Sequence, residues 1–351
     1  MGNIQRDNVV DSIRGFAIII VMLGHIMTTN TLAGKDTGLF RFIWSVQMPL
    51  FMLISGYVNK YAKPVDTISD LIHTVKKRTI SYFLPWLVWT LLIRGWLVNP
   101  SEDIIEYTQH IVFNMDSGYW FLFVLWMISL THLLSKYFVG KIIHNRLWMP
   151  IAVSLMSIAF GGMAYIVITY SQLGGNFLGF KYYIYYLPFY CIGFIYGDWS
   201  VYASGSVLFS KKILKNGLSA IVFLIYISLM CKIDITKLQD EFFSAILRFV
   251  MSITGSIVVI NIIVSLSRHS YKLSRACSIA GNYSLELYLL HTLFIPTIPA
   301  NNSVAFVSLE GIGVSIINYL FMILFSSVFI YASRRNQYIN FFIFGKNDRK
   351  E

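Results

Sequence analysis

The feature that most constrains this chain is a series of long apolar runs that carry almost no charge. The segment 147–168, LWMPIAVSLMSIAFGGMAYIVI, contains no charged side chain, and similar runs recur along the sequence. Only 13% of the 351 residues are charged and 56% are hydrophobic, whereas soluble domains average about 25% charged residues. Such a chain cannot cover itself with polar surface in water, so its solvent must be lipid.

Lipid restricts the backbone to two architectures, helices and closed β-barrels. Barrel strands alternate polar and apolar residues, whereas the runs here are continuous, which predicts an all-α, polytopic integral membrane protein. Windows of about 20 apolar residues are long enough to cross a bilayer. They predict ten membrane-spanning helices, at 8–29, 39–58, 80–98, 118–136, 148–170, 182–198, 216–231, 242–266, 281–299 and 310–333.

The basic residues predict the orientation. If the N-terminus is cytoplasmic, 21 of the 28 Lys and Arg residues fall on the inner side and seven on the outer side. This bias follows the positive-inside rule, so both termini are expected in the cytoplasm. It also accounts for the net charge of +11 without nucleic-acid binding, because the basic residues form short clusters between apolar runs.

The chain is predicted to contain one membrane-embedded domain, residues 1–333, followed by a short basic cytoplasmic tail, residues 334–351, that lies at the inner interface. The first apolar run has no convincing cleavage site and is expected to act as an uncleaved anchor.

The first predicted helix carries ionisable residues on one face. Arg14 and His25 are eleven residues apart, about three full turns, so they point the same way roughly 16 Å apart. Asp11 precedes Arg14 by about one turn and shares this face. Arg14 could simply reach the inner headgroups with Asp11 as its partner, and His25 could lie at the outer interface.

The alternative to that structural role is chemical. A cation near the inner mouth can hold phosphate, and a neutral imidazole deeper in the bundle can take a proton from a hydroxyl. The spacing suits an elongated ligand with phosphates at one end and a reactive tip, as in an acyl-CoA.

These residues resemble the signature of a known family. Arg14-x10-His25 within DSIRGFAIIIVMLGH is similar to the first-helix motif of the acyltransferase-3 family of integral membrane acyltransferases. Three further elements resemble that family in the same order along most of the chain. They are MPLFMLISGY, which ends in Ser55, Gly56 and Tyr57, then YWFLFVLWMI, which contains Trp120, and YSLELYLLH, which ends at His291.

One family element departs from the pattern. Many members carry R-x-x-R at the inner start of the third helix, and here Arg78 fits the first position while Ser81 occupies the second. The neighbouring Lys76 and Lys77 could supply the missing charge. Arg78 is therefore a candidate for binding the anionic donor, and ordinary positive-inside bias explains this cluster equally well.

The resemblance implies transfer of an acetyl or other short acyl group from acyl-CoA to a carbohydrate hydroxyl. The acceptor would be a bacterial surface polysaccharide, such as an O-antigen, or its lipid-linked precursor, modified at the inner membrane. His25 would be the catalytic base and Arg14 part of the donor site, with acetyl-CoA as a co-substrate and no permanently bound cofactor. The Ser55–Gly56 face would let the pantetheine pass close to the backbone, unless these small residues only pack helices.

Other polar residues leave two interpretations open. Glu286 and His291 lie five residues apart on the ninth predicted helix and do not share a face, and each is either a substrate-binding residue or a buried structural one. Trp120 either stacks on a ligand or lies at the interface. His132 and the remaining histidines are expected at helix ends or in loops. The three cysteines lack metal or redox spacing, so no metal is predicted.

Two other function classes compete with the acyltransferase. A transporter or flippase of a lipid-linked sugar would also have about ten helices with internal charges. Such proteins often contain inverted repeats, and no duplication is visible here. In a passive assembly subunit, nothing would explain the free-energy cost of placing Arg14, His25 and Glu286 in the membrane.

Overall fold

The computed structural model describes residues 7–98, 103–115, 119–171, 173–174, 176–202, 218–238, 242–295 and 304–346. Within these ranges the protein is helical, and the β-structure is a single isolated bridge between Leu32 and Ala305. The predicted all-α fold is therefore confirmed. The predicted basic loop at 211–215 and the last five residues lie outside the described residues.

Fourteen α-helices are described. In chain order they are α1 Asn8–Thr29, α2 Gly38–Tyr57, α3 Ile68–Arg78, α4 Leu84–Leu87, α5 Ile104–Phe113, α6 Trp120–Gly140, α7 Met149–Tyr170, α8 Phe180–Tyr202, α9 Leu218–Lys232, α10 Phe242–His269, α11 Tyr271–Asn282, α12 Ser284–Leu290, α13 Leu309–Arg334 and α14 Gln337–Phe344.

Among the described residues, six helices are long and apolar enough to cross a membrane: α1, α2 with the turn that follows it, α6, α7, α10 and α13. The described chain thus supports an integral membrane protein. The predicted spans at 80–98, 182–198, 216–231 and 281–299 are not among these six. The count of ten helices and the cytoplasmic position of both termini stay predictions.

The chain divides into two compact units. The first contains residues 1–54 and 207–330, and the second contains residues 55–206 and 331–351. The boundary falls near the end of α2, so most of that helix belongs to the first unit.

In the first unit, α1 begins where its sequence provides a cap. The Asp7 carboxylate accepts hydrogen bonds from the backbone N–H groups of Val9 and Val10, and Asp11 adds a second negative charge in the first turn. Both features stabilise a helix N-terminus. The helix then runs to Thr29, about 33 Å, which is enough to span the hydrocarbon core.

Helix α11 packs directly against the backbone of α1. A Cβ atom at Gly15 would lie 1.8 Å from the Cys277 carbonyl oxygen, so no larger side chain fits there. Beside this contact, the Ser12 hydroxyl lies 3.0 Å from the Ser274 carbonyl oxygen and donates to it. Small residues allow this close approach, as is common between membrane helices.

The second unit has an irregular segment between α3 and α5. Two π-helical stretches, Thr79–Phe83 and Val88–Val98, flank the short helix α4. The Trp126 indole N–H donates to the Thr79 hydroxyl at 3.1 Å, which ties the first stretch to α6.

The C-terminal segment packs into the second unit as α14. The Trp89 indole N–H donates to the Ile343 carbonyl oxygen at 2.9 Å, and Phe344 is fully buried. Gly345 follows in the left-handed region, with φ 64°, where a Cβ would lie 2.2 Å from the Ile80 carbonyl oxygen. The described part of the predicted tail is therefore a docked helix. Its outward residues, Tyr338, Ile339 and Phe342, are exposed.

Candidate active site

The first unit contains an ion pair near the start of α1. The Arg14 guanidinium lies 3.7 Å from the Asp11 carboxylate, one turn earlier on the same face. The Asp11 side chain is 6% exposed, whereas that of Arg14 is 31% exposed. The guanidinium therefore keeps an accessible part that could contact a second anion, since it carries five N–H donors.

Farther along α1, His25 is accessible although the helix around it is buried. Between Val9 and Thr28, all of which the structure describes, His25 is the one residue in the exposed class. The preceding residue, Gly24, faces α2, where a Cβ would lie 3.0 Å from the Ile43 side chain. A glycine at this position allows α2 to approach the turn that carries the imidazole.

His25 is in contact with a second histidine. The ring centroids of His25 and His291 are 4.8 Å apart with an interplanar angle of 55°. His291 directly follows α12 and is 1% exposed. The two imidazoles are far apart in the sequence, and the fold of the first unit brings them together.

The hydrogen bonds of His291 define its tautomer. Its Nδ1 lies 2.7 Å from the Tyr288 carbonyl oxygen and 3.2 Å from that of Leu287. Carbonyl oxygens only accept, so Nδ1 carries the hydrogen and Nε2 carries the lone pair when the ring is neutral. Nε2 is buried and has no hydrogen-bond partner among the residues that the structure describes.

Glu286 is also in the first unit. Its side chain is fully buried within α12, the short helix that leads to His291. A buried carboxylate is costly in a membrane unless it is paired or serves a function. The first unit therefore contains five of the predicted site residues: Asp11, Arg14, His25, Glu286 and His291.

The other five predicted residues belong to the second unit: Ser55, Gly56, Tyr57, Arg78 and Trp120. The space beside Gly56 is filled by α8, because a Cβ there would lie 1.9 Å from the Tyr190 carbonyl oxygen. The Tyr57 carbonyl packs in the same way against Gly197 of α8. Helix packing accounts for these contacts, and a ligand-binding role of the Ser55–Gly56 face stays a prediction.

Arg78 takes part in a hydrogen-bond network inside the second unit. Its guanidinium donates to the Ser129 carbonyl oxygen and, at 2.9 Å, to the Asn59 side-chain oxygen. The Asn59 amide donates in turn to the Tyr190 hydroxyl at 2.7 Å. Asn59 was not predicted as a site residue from the sequence. A signal was present, since a polar amide directly after the apolar run of α2 needs hydrogen-bond partners if it is buried.

Aromatic contacts place Trp120 and His132. The Trp120 ring stacks on Tyr182 with 4.4 Å between centroids and on Tyr186 with 5.5 Å. His132 was expected at a helix end, and this expectation is wrong. Helix α6 begins at Trp120 and continues to Gly140, so His132 lies in its interior, fully buried against Phe194.

Among the described residues, no group of three or more His, Cys, Asp or Glu side chains is close enough together to hold a metal ion.

The chain is similar to two curated proteins over part of its length. The chain is 25% identical over 225 residues to the nodulation protein NolL of Sinorhizobium fredii, an alignment that covers 60% of this chain and 54% of that protein. It is 27% identical over 206 residues to the nodulation protein NolL of Mesorhizobium japonicum, with 56% and 49% covered. The chain thus matches about half the length of these curated relatives. No solved structure matches it significantly.

A family model agrees with the motifs. The model described as an acyltransferase domain matches residues 7–335, which include α1 to α13 and every predicted site residue. The resemblance seen in the sequence is thereby confirmed. The chain belongs to the acyltransferase-3 family.

Proposed function

We propose that this protein transfers an acetyl or other short acyl group from acyl-CoA to a hydroxyl of a carbohydrate. His25 is the general base, and Arg14 binds the donor. The acceptor is a bacterial surface polysaccharide or its lipid-linked precursor at the cytoplasmic membrane. Membership of an acyltransferase family supports group transfer over transport of a lipid-linked sugar, which would consume no acyl donor.

One observation carries this proposal. In a helix whose other residues are largely buried, the two basic groups that stay accessible, Arg14 and His25, lie on one face. Their separation along the axis is roughly 16 Å. An acyl-CoA has phosphates at one end and the thioester at the tip of its extended pantetheine arm, so the guanidinium and the imidazole match its two ends.

The chemistry assigned to His25 is acyl transfer by general-base catalysis. His25 takes the proton from the acceptor hydroxyl as its oxygen attacks the thioester carbonyl carbon. A C–O bond forms, the C–S bond breaks, and the CoA thiolate leaves and takes the proton from His25. A histidine suits both proton transfers because its usual pKa lies near the working pH.

The test uses the full chain in liposomes with radiolabelled acetyl-CoA and glycans from the host. His25→Ala should reduce transfer by about 10²- to 10⁴-fold, the usual contribution of a general base. Acetyl-CoA binding should be retained, since the phosphates lie far from the imidazole. His144→Ala is the matched control, because His144 is exposed outside the helices. Wild-type transfer by His25→Ala would refute the catalytic assignment.

A further inference from the structure

We propose that His291 is a positioning residue for His25. Its buried Nε2 accepts a hydrogen bond from a ring N–H of His25 and thereby decides which nitrogen of His25 presents its lone pair to the acceptor hydroxyl. This inference rests on the proposed function, because it takes His25 as the general base.

The first support is that the backbone of α12 fixes His291. Its Nδ1 lies 2.7 Å from the Tyr288 carbonyl oxygen and 3.2 Å from that of Leu287. Two acceptors at one nitrogen hold the hydrogen there and restrict rotation of the ring. Nε2 is consequently an acceptor with a fixed place in the unit.

The second support is that this acceptor is buried and has no donor within the described parts of the chain. Buried polar atoms nearly always have a hydrogen-bond partner, so a donor should reach it in the working enzyme. The His25 ring, with a centroid separation of 4.8 Å and a tilted geometry, is in contact with this ring. A small rotation of the accessible His25 side chain would bring one of its N–H groups to Nε2.

The third support is the division of exposure within the pair. His25 is exposed, so its second nitrogen can meet a substrate, whereas His291 is 1% exposed and cannot. A buried group that orients an accessible catalytic imidazole is the arrangement that a serine-hydrolase triad achieves with a carboxylate. Here a neutral imidazole would supply the acceptor.

The hydrogen bond would act during proton transfer. When His25 takes the hydroxyl proton it becomes an imidazolium, and the lone pair of His291 stabilises the N–H that points toward it. The proton then passes from His25 to the CoA thiolate as the C–S bond breaks. His291 keeps its own proton on Nδ1 throughout and exchanges none with the substrates.

Two substitutions separate this role from simple packing. His291→Asn places an amide where Nδ1 lies, so it can still donate to the Tyr288 carbonyl oxygen, but it offers no acceptor at the Nε2 position. His291→Gln is longer and can place its side-chain oxygen there. We therefore expect His291→Asn to lose the orienting hydrogen bond to His25 and His291→Gln to recover part of its effect.

The experiment measures kcat and the KM for acetyl-CoA with the full chain in liposomes, together with the yield of folded protein. His291→Asn should lower kcat on the order of 10- to 100-fold, as loss of an orienting partner does, and leave the donor KM within about twofold. His291→Gln should give a kcat between those of Asn and the parent. In a His25→Ala background, His291→Asn should cause no further loss of the residual rate, because both substitutions disable the same pair of histidines.

Each contrary result has a definite meaning. The inference fails if His291→Asn keeps the parent kcat, if Gln is no better than Asn, or if the two losses multiply in the double variant. If the folded yield of His291→Asn falls, His291→Gln is compared with the parent instead. A His291→Gln variant that folds but has a raised donor KM at unchanged kcat overturns the inference. The proposed function fails separately, when His25→Ala itself retains transfer.

Discussion

Gly15 of α1 and Gly281 of α11 each lie against the backbone of the opposite helix. A Cβ at Gly15 would meet the Cys277 carbonyl oxygen at 1.8 Å, and a Cβ at Gly281 would meet the Asp11 carbonyl oxygen at the same distance. The contact sits within one turn of Arg14. Glycine at these two positions therefore sets the distance between α1 and α11. It thereby also sets where the face of α1 with Arg14 and His25 lies relative to α11.

This contact predicts a strong effect for one added methyl group. Gly281→Ala should force the helices apart and destabilise the folded protein by about 1–3 kcal/mol or more, since backbone atoms cannot move aside as side chains do. The measurement is the thermal midpoint and the monodisperse yield in detergent. Gly313→Ala in α13 is the matched control, because a Cβ there meets nothing within 4 Å. Equal stability of the two variants would contradict the packing role of Gly281.

Arg14 is expected to act on donor binding. Arg14→Ala should raise the KM for acetyl-CoA and leave kcat at saturating donor largely unchanged, because in the proposed site the guanidinium would bind phosphate far from the reacting bond. Arg14→Lys should recover part of the affinity, since the charge survives while the paired N–H donors are lost. Arg146→Ala, at an exposed position between α6 and α7, is the control for loss of charge alone. An Arg14→Ala enzyme with the parent KM would exclude the donor site at this end of α1.

Glu286 allows activity to be separated from folding. Glu286→Gln keeps the size of the side chain and removes the charge, so a functional carboxylate should lose activity while the protein stays inserted and abundant. A purely structural carboxylate should lose folded protein first. Detergent-extracted yield and specific activity are measured together, with Glu310→Gln as an exposed control in the same unit. Normal values of both quantities would leave Glu286 without either role.

The orientation prediction rests on the basic residues alone. Both termini and the loop at 211–215 should be cytoplasmic, because 21 of 28 Lys and Arg residues fall on that side in the ten-helix arrangement. A reporter that works only in the cytoplasm should be active when it is fused after Asn347, and a reporter that works only outside the membrane should be inactive there. Activity confined to the outer side would exclude the arrangement with ten helices.

The sequence predicted correctly those features that depend on neighbouring residues alone. The predicted first span, 8–29, matches α1, because Asp7 caps its start and the apolar run itself sets its length. Helical periodicity placed Asp11 and Arg14 on one face, where the ion pair is found. The motifs predicted the family for the same reason, since each of them is a short contiguous element.

The rest depends on which helices pack together, which periodicity does not encode. The contact of His25 with His291 requires α11 to lie against α1. That packing depends on Gly15 and Gly281, for which no packing role was predicted from the sequence. Arg78 was considered for anion binding from its charge. Its partners, Ser129 and Asn59, come from α6 and from the turn after α2, and their approach is a tertiary effect.

The bond between Trp89 and Ile343 also imposes an order on biosynthesis. The two residues are 254 positions apart, and translation at about 5–20 residues per second separates their appearance by roughly 10–50 s. Helices α3 to α8 are therefore synthesised before α14, which covers Trp89. The whole of α9 to α13 is made in the interval. During that interval the second unit lacks α14, so the surface around Trp89 stays uncovered until the last of the described helices has been made.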